Sequence, residues 1–395
     1  MLAIALSSLT AGGFAAEPKN VPELMKTANG GEVKTLADWE NVRRLEILKT
    51  FETQVFGVRP VERPQDLAFE TVICHDDALL SSAILKRVKI AWKGPRGSQH
   101  IVVTAFFPLS AKKKPVPCFV FLNRDGGVIG SQRLPRDAQV GPVDRDEHWP
   151  VERILLRGYA TVAFDVTDVA EDDYSAFRCD VFGCFQDPED RTSESWGTLS
   201  AWAWGASRVM DWLETEKFVD AKRVAVAGLS RRGKTALWAG ATDRRFAMVC
   251  SCGSGTCGAK LNRFGLPSGS ESLCRISRFR HWFCRNFDKW AGKDMTVPFD
   301  QHWMLSLIAP RLLCVASGSE DTGACPEGEY WSTYLASPAW ALYGKKGLVA
   351  NGFPAVEAPL QEGDVSYHVR KGPHEFLLYD WERFMDFADK HGWQN

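Results

Sequence analysis

The sequence predicts an α/β protein built on a doubly wound, mostly parallel sheet, with helices on both faces in a three-layer α/β/α sandwich. Three observations point there. Residues 118–122, 160–164, 224–227 and 312–316 are short continuous apolar runs, as expected of strands buried on both faces. Helical stretches at 196–215, 231–243, 303–307 and 331–343 are interspersed with them, and such alternation marks parallel strands joined by crossover helices. No internal repeat, low-complexity tract or Pro/Ser linker divides the 395 residues after the first few. One catalytic domain over 17–395 is therefore expected, although length alone suggests roughly two to three.

Composition narrows the function. Lys and Arg number 48 against 49 Asp and Glu, a net charge of -1, which gives no support to a nucleic-acid partner. Hydrophobic residues at 45% and charged residues at 25% are those of a globular protein. No apolar run reaches the ~18 residues of a membrane span. The first sixteen residues, MLAIALSSLTAGGFAA, are apolar and small and end where a signal peptidase could cut. Residues 1–16 are read as a signal peptide, and the protein as secreted or periplasmic. Eleven cysteines without paired CxxC spacing indicate neither a disulfide framework nor a metal centre. Cys250, Cys252 and Cys314 read as core residues, while Cys179 and Cys184 flank a short loop and are a candidate pair in an oxidising compartment. No metal or other cofactor is expected, and the protein is expected to act as a monomer.

Along the chain, Leu36, Trp39, Val42, Leu45, Leu48, Phe51 and Val55 recur in steps of three and four, which predicts an amphipathic helix over 36–56. Segments 68–73, 84–93 and 99–107 are rich in β-branched residues and read as an opening run of antiparallel strands. The polar stretches 124–146 and 165–194 are long for loops, and long loops on such a sheet are where binding surfaces are built.

The strand at 223–227 runs into Gly228-Leu229-Ser230-Arg231-Arg232-Gly233-Lys234 and then a helix. Gly-x-Ser-x-x-Gly between strand and helix fits a nucleophile elbow, with the second glycine one position later than usual. The sharp turn exposes the serine oxygen, and the helix start offers N–H groups to a developing oxyanion. A serine nucleophile needs a base, and in α/β-hydrolases the order is Ser, acid, His. Five of the eight histidines follow Ser230: His281, His302, His368, His374 and His391. His374 lies in a loop between the strand-like 365–370 and the C-terminal helix, where the base belongs. His368 alternates within that strand and reads as packing, and His281, beside Trp282 and Phe283, either lines a cleft or fills core. Strand 311–317 ends in Gly318-Ser319-Glu320-Asp321, which makes Asp321 the candidate acid that orients the imidazole, with Glu320 its rival.

These residues resemble the signature of carbohydrate esterase family 15, the glucuronoyl esterases, and of its bacterial members in particular. Agreement extends to Trp149-Pro150-Val151-Glu152, Trp196-Gly197-Thr198, Ala201-Trp202-Ala203-Trp204-Gly205, His281-Trp282-Phe283-Cys284 and Asp300-Gln301-His302, so that the resemblance spans roughly 36–394. It implies a metal-free serine esterase of α/β-hydrolase fold. The bond cleaved would be the ester between 4-O-methyl-glucuronic acid of glucuronoxylan and lignin alcohols. By the same resemblance Ser230 is the nucleophile, Arg231 stabilises the oxyanion, and Lys234 and Glu271 contact the sugar. Two departures stand out. Many members place the acid after the strand that follows the nucleophile helix, where this chain has Ser251-Cys252-Gly253-Ser254-Gly255 and no carboxylate. Members also commonly carry a Trp just after the later acid turn, where this chain has Thr322-Gly323-Ala324-Cys325-Pro326. The alternatives are another carbohydrate esterase, such as an acetyl-xylan esterase, or an inactive carbohydrate-binding relative.

Overall fold

The computed structural model describes residues 17–123, 148–265 and 267–394. The expected signal peptide and the polar stretch 124–146 lie outside them. Nine strands form one sheet in the order β1-β2-β3-β5-β4-β6-β7-β8-β9. Three long strands open it, β1 (Asp66–Asp77), β2 (Ala83–Gly94) and β3 (Gly97–Pro108), paired antiparallel as their alternating sequence predicts. The others are β4 (Val116–Asn123), β5 (Ala160–Asp165), β6 (Val219–Leu229), β7 (Met248–Cys252), β8 (Leu312–Gly318) and β9 (Val365–Arg370). From β5 through β4 to β9 every pairing is parallel. The order turns back at β4, which lies between β5 and β6, and sites in open α/β sheets gather at such a reversal, beyond the carboxyl ends of the strands.

The continuous apolar runs are explained by two cores, one on each face of the sheet. Cys118, Val120 and Leu122 of β4 point into one, with the helices Thr198–Leu213 and Arg231–Thr242. Phe119 and Phe121 point into the other, with Val151, Ile154 and the C-terminal helix Leu378–Lys390, whose Trp381, Phe384 and Phe387 are buried there. Successive side chains of a strand face opposite ways, so a strand with a core on each side has no polar face.

Two predicted helices need correction. Residues 36–56 are helical throughout, but Leu36, Val42 and Leu45 are exposed and the buried face is Trp39, Arg43, Ile47, Phe51 and Val55, in steps of four. The turns at Trp39–Arg43 and Glu52–Phe56 are wider than an α-turn, and a slower rotation per residue moves the buried stripe away from the 3.6-residue expectation. The helix expected at 331–343 begins earlier, at Pro326, and ends at Ala336, with a separate turn Pro338–Ala341. Proline is preferred at a first helical position and breaks a helix interior, so Pro326 opens this helix and Pro338 limits it. The stretch 165–194 contains four short helical segments, Val166–Asp168, Tyr174–Arg178, Asp180–Phe185 and Pro188–Asp190. Cys179 and Cys184 do not pair; Cys179 is exposed and Cys184 buried, each a free thiol. Among the described residues no helix is long and apolar enough to cross a membrane.

Candidate active site

Ser230 stands between the end of β6 and the helix Arg231–Thr242, with φ at +60°. A non-glycine residue adopts that conformation only where the surroundings impose it. Its N–H donates to Cys252 O at 2.9 Å, which ties the turn to the neighbouring β7. The two glycines of the motif are required by close approach. A side chain at Gly228 would lie 2.4 Å from Arg232 O, and one at Gly233 would lie 3.0 Å from Gly228 O and 3.1 Å from Cys252 O. The late second glycine thus packs back on the first.

Asp321 and His374 are brought together. Asp321 Oδ2 lies 2.5 Å from His374 Nδ1, and Asp321 Oδ1 accepts the Ala324 N–H at 3.0 Å. The hydrogen bond that the Asp321 carboxylate accepts from His374 pushes the His374 pKa up against the opposing effect of burial. Asp321 is buried while the imidazole is 43% exposed at the side chain, open to a reactant. Glu320 is exposed, with its N–H bonded to Gly372 O, so of the two rivals Asp321 is the one that meets the imidazole. The pair reaches the serine turn through Gly253, just after β7. A Cβ there would lie 3.0 Å from Asp321 Oδ2 and 3.2 Å from His374 Nδ1. The stretch after β7, which carries no carboxylate of its own, is here filled by the edge of this pair. His368, read as packing, is buried against Asp380 at 2.9 Å, and Arg370 binds the other oxygen of that carboxylate at 3.1 Å. Asp380 also accepts the Leu377 N–H at 2.9 Å, so it clamps both flanks of the loop that holds His374.

Arg231 and Lys234 reach segments that leave the sheet on opposite sides of β6. Lys234 is buried, and its ammonium binds Ser254 O and, at 3.0 Å, Glu271 Oε2. Glu271 Oε2 also accepts the Thr256 N–H at 3.1 Å. Lys234 and Glu271, proposed from sequence as separate contacts, are one ion pair. Arg231 turns towards the connection after β5 and pairs with Asp172, whose other oxygen receives Trp282 Nε1 at 2.6 Å and His281 Nε2 at 3.0 Å. Burial alone would push the Asp172 carboxyl up, but these bonds and the Arg231 charge outweigh it and hold it at about 2.

Sequence reasoning missed Asp172 and Glu329. The first lies in the long polar loop, whose length was the only signal. Glu329 is fully buried in the helix Pro326–Ala336. Its carboxyl accepts from Ser254 Oγ at 3.1 Å, Gly255 N at 2.9 Å and Ser317 Oγ at 2.6 Å, so it ties the loop after β7 to the end of β8. Burial pushes it up to about 7. Among the described residues no group of three or more His, Cys, Asp or Glu side chains is arranged to hold a metal ion.

Comparison with known proteins agrees over nearly the whole chain. Residues 147–344 match the family model described as "Glucuronyl esterase, fungi". The chain is 32% identical to carbohydrate esterase MZ0003 of an unknown prokaryotic organism, over 94% of this chain and 89% of that protein. It is 24% identical to the 4-O-methyl-glucuronoyl methylesterase of Cerrena unicolor, over 82% of this chain and 62% of that one. Among solved structures, a glucuronoyl esterase from Solibacter usitatus is 34% identical with a TM-score of 0.84, covering 93% of this chain and 97% of that chain.

Proposed function

The chain belongs to the glucuronoyl esterases of carbohydrate esterase family 15 and is a carboxylic ester hydrolase of α/β-hydrolase fold; from this we propose that it cleaves the ester joining 4-O-methyl-glucuronic acid of glucuronoxylan to a lignin alcohol. The observation that supports the reading most directly is the hydrogen-bonded Asp321–His374 pair lying against Gly253, beside a serine held at positive φ.

In this mechanism Ser230 Oγ attacks the uronate carbonyl while His374 Nε2 takes its proton. Asp321 holds Nδ1–H and so selects the tautomer whose Nε2 is free. The negative charge moving onto the carbonyl oxygen meets the N–H groups that open the helix Arg231–Thr242, and the Arg231 guanidinium. The tetrahedral species collapses as His374 returns the proton to the departing alcohol oxygen, leaving the uronyl group on Ser230. Water, deprotonated by the same imidazole, then attacks that ester and releases the acid. Lys234 and Glu271, already paired, offer the uronate hydroxyls a donor and an acceptor. Without the Trp that many relatives place after the acid, sugar binding rests more on these polar contacts.

Residues 1–16 serve as an export signal in this reading, and because every group invoked comes from one chain, a monomer suffices. The test is a substrate panel. The wild type should hydrolyse benzyl glucuronate and its 4-O-methyl form and leave acetylated xylan untouched, and a fluorophosphonate should label it but not Ser230→Ala. Turnover of the acetyl substrate alone would overturn the assignment.

A further inference from the structure

Beyond Asp172, the loop after β5 and the segment around His281 enclose a cavity of about 460 Å³. That is room for one substituted ring. Four arginines line it, Arg178, Arg191, Arg280 and Arg285, with Glu189 the only carboxylate among the described residues of its wall. Arg280 is held by Asp288 at 3.1 Å. Among the described residues, Arg178 and Arg285 are exposed and form no ion pair with a carboxylate. Arg191 is pressed over the Phe177 ring at 3.9 Å with one nitrogen bonded to Trp196 O at 2.5 Å. Its burial and the neighbouring Arg285 charge bring it down to about 10.

Like charges that outnumber the acids beside them repel one another, and an anion between them removes that cost. The planar guanidinium fork matches a carboxylate better than any other side chain does. Phe177 and the half-exposed Tyr174 supply flat faces for the ring that bears it. The cavity is also tied to the reaction centre: the Tyr174 ring lies 5.8 Å from that of His281, and His281 shares Asp172 with Arg231. Arg231 and Lys234 reach out on opposite sides of β6, so an occupant here belongs to the part of the substrate that extends away from the Lys234–Glu271 pair.

We propose that this arginine-lined cavity is a second subsite, which binds a free carboxylate carried by the substrate beyond the ester being cleaved. The inference rests on the esterase reading. The carboxylate comes from a neighbouring uronic acid on the polysaccharide or from an acid on the aromatic alcohol, and the two are told apart by substrate. Three substrates serve: benzyl glucuronate, 4-carboxybenzyl glucuronate, and a glucuronoxylan oligomer bearing one ester and one free uronate. One or both of the carboxylate-bearing substrates should show a KM at least several-fold below that of benzyl glucuronate, with kcat similar and the advantage shrinking at high salt. The double variant Arg178→Ala/Arg285→Ala, at two exposed positions, should abolish that advantage and leave benzyl glucuronate unchanged. Equal treatment of all three substrates by the wild type, or an equal loss on all three in the variant, would overturn the subsite. If benzyl glucuronate itself is not hydrolysed, the esterase reading is what fails. Calorimetric titration of Ser230→Ala with the free-uronate oligomer then decides the subsite alone: binding that the arginine double variant loses upholds it, and no binding overturns it.

Discussion

At the scale of single residues, the acid turn offers two adjacent carboxylates of which one meets the imidazole. Asp321→Asn should leave the fold intact and lower kcat by orders of magnitude, because an imidazole in the wrong tautomer cannot take the serine proton. Glu320→Gln should change kcat little. The reverse ranking would move the acid by one residue. Because Asp321 raises the His374 pKa, and only neutral imidazole acts as a base, the acidic limb of the wild-type kcat/KM profile should have its midpoint above the ordinary histidine range. The residual activity of Asp321→Asn should show that midpoint shifted down. Folding responds in the opposite sense: the bond favours protonated His374, so its contribution to stability is complete below the ordinary histidine pKa and is lost as pH rises through the raised value. Ser230, Asp321 and His374 were legible because chain order and the turn residues around them narrow the choices. Asp172 was not, since its partners are 59 to 110 residues distant in sequence.

At the scale of elements, the anchors of the loop after β7 include the Lys234 ammonium and the Glu329 carboxyl. Lys234→Ala should cost turnover of a glucuronate ester on the order of ten-fold or more, for a charged hydrogen bond worth ~1.5–3 kcal/mol. Nitrophenyl acetate, which has no sugar, should lose much less. Equal losses on both would show that Lys234 supports the loop rather than the sugar, a distinction that matters because its ammonium already has two protein partners. Glu329 makes a different prediction. Its pKa lies at about 7 in the fold, above that of a carboxyl in the unfolded chain. The native state therefore binds the extra proton, and stability falls as pH rises from the ordinary carboxyl range through about 7. Glu329→Gln cannot ionise and should flatten that fall, seen as a Tm that changes less than the wild type's between about pH 5 and about pH 8. Neither anchor's partner could be read from a helical pattern, which reports amphipathicity and not what a buried polar group bonds to. The stretch 36–56 failed differently: its helix was legible, but the wide turns that set its buried face leave no mark in hydrophobic spacing.

At the scale of the molecule, the doubly wound sheet was legible because its centre has no polar face. Cys118 to Leu122 are all buried, and alternate between the two cores. The same feature hid the strand order, since runs alike in sequence do not say which lies beside which. What the arrangement implies for assembly over time can be drawn from Asp172. Its one carboxylate is reached by Arg231, 59 positions along the chain, and by His281 and Trp282, 109 and 110 positions along. Contacts that distant cost loop-closure entropy before they return anything, and in a chain of this size they consolidate after local structure. On dilution from denaturant, far-ultraviolet ellipticity should return first and the capacity to hydrolyse an ester should follow with a lag. Asp172→Asn weakens the point where the late contacts converge, so it should lengthen that lag while leaving the early ellipticity phase unchanged. Simultaneous recovery of both signals would mean that the helices and the reaction centre form as one cooperative unit.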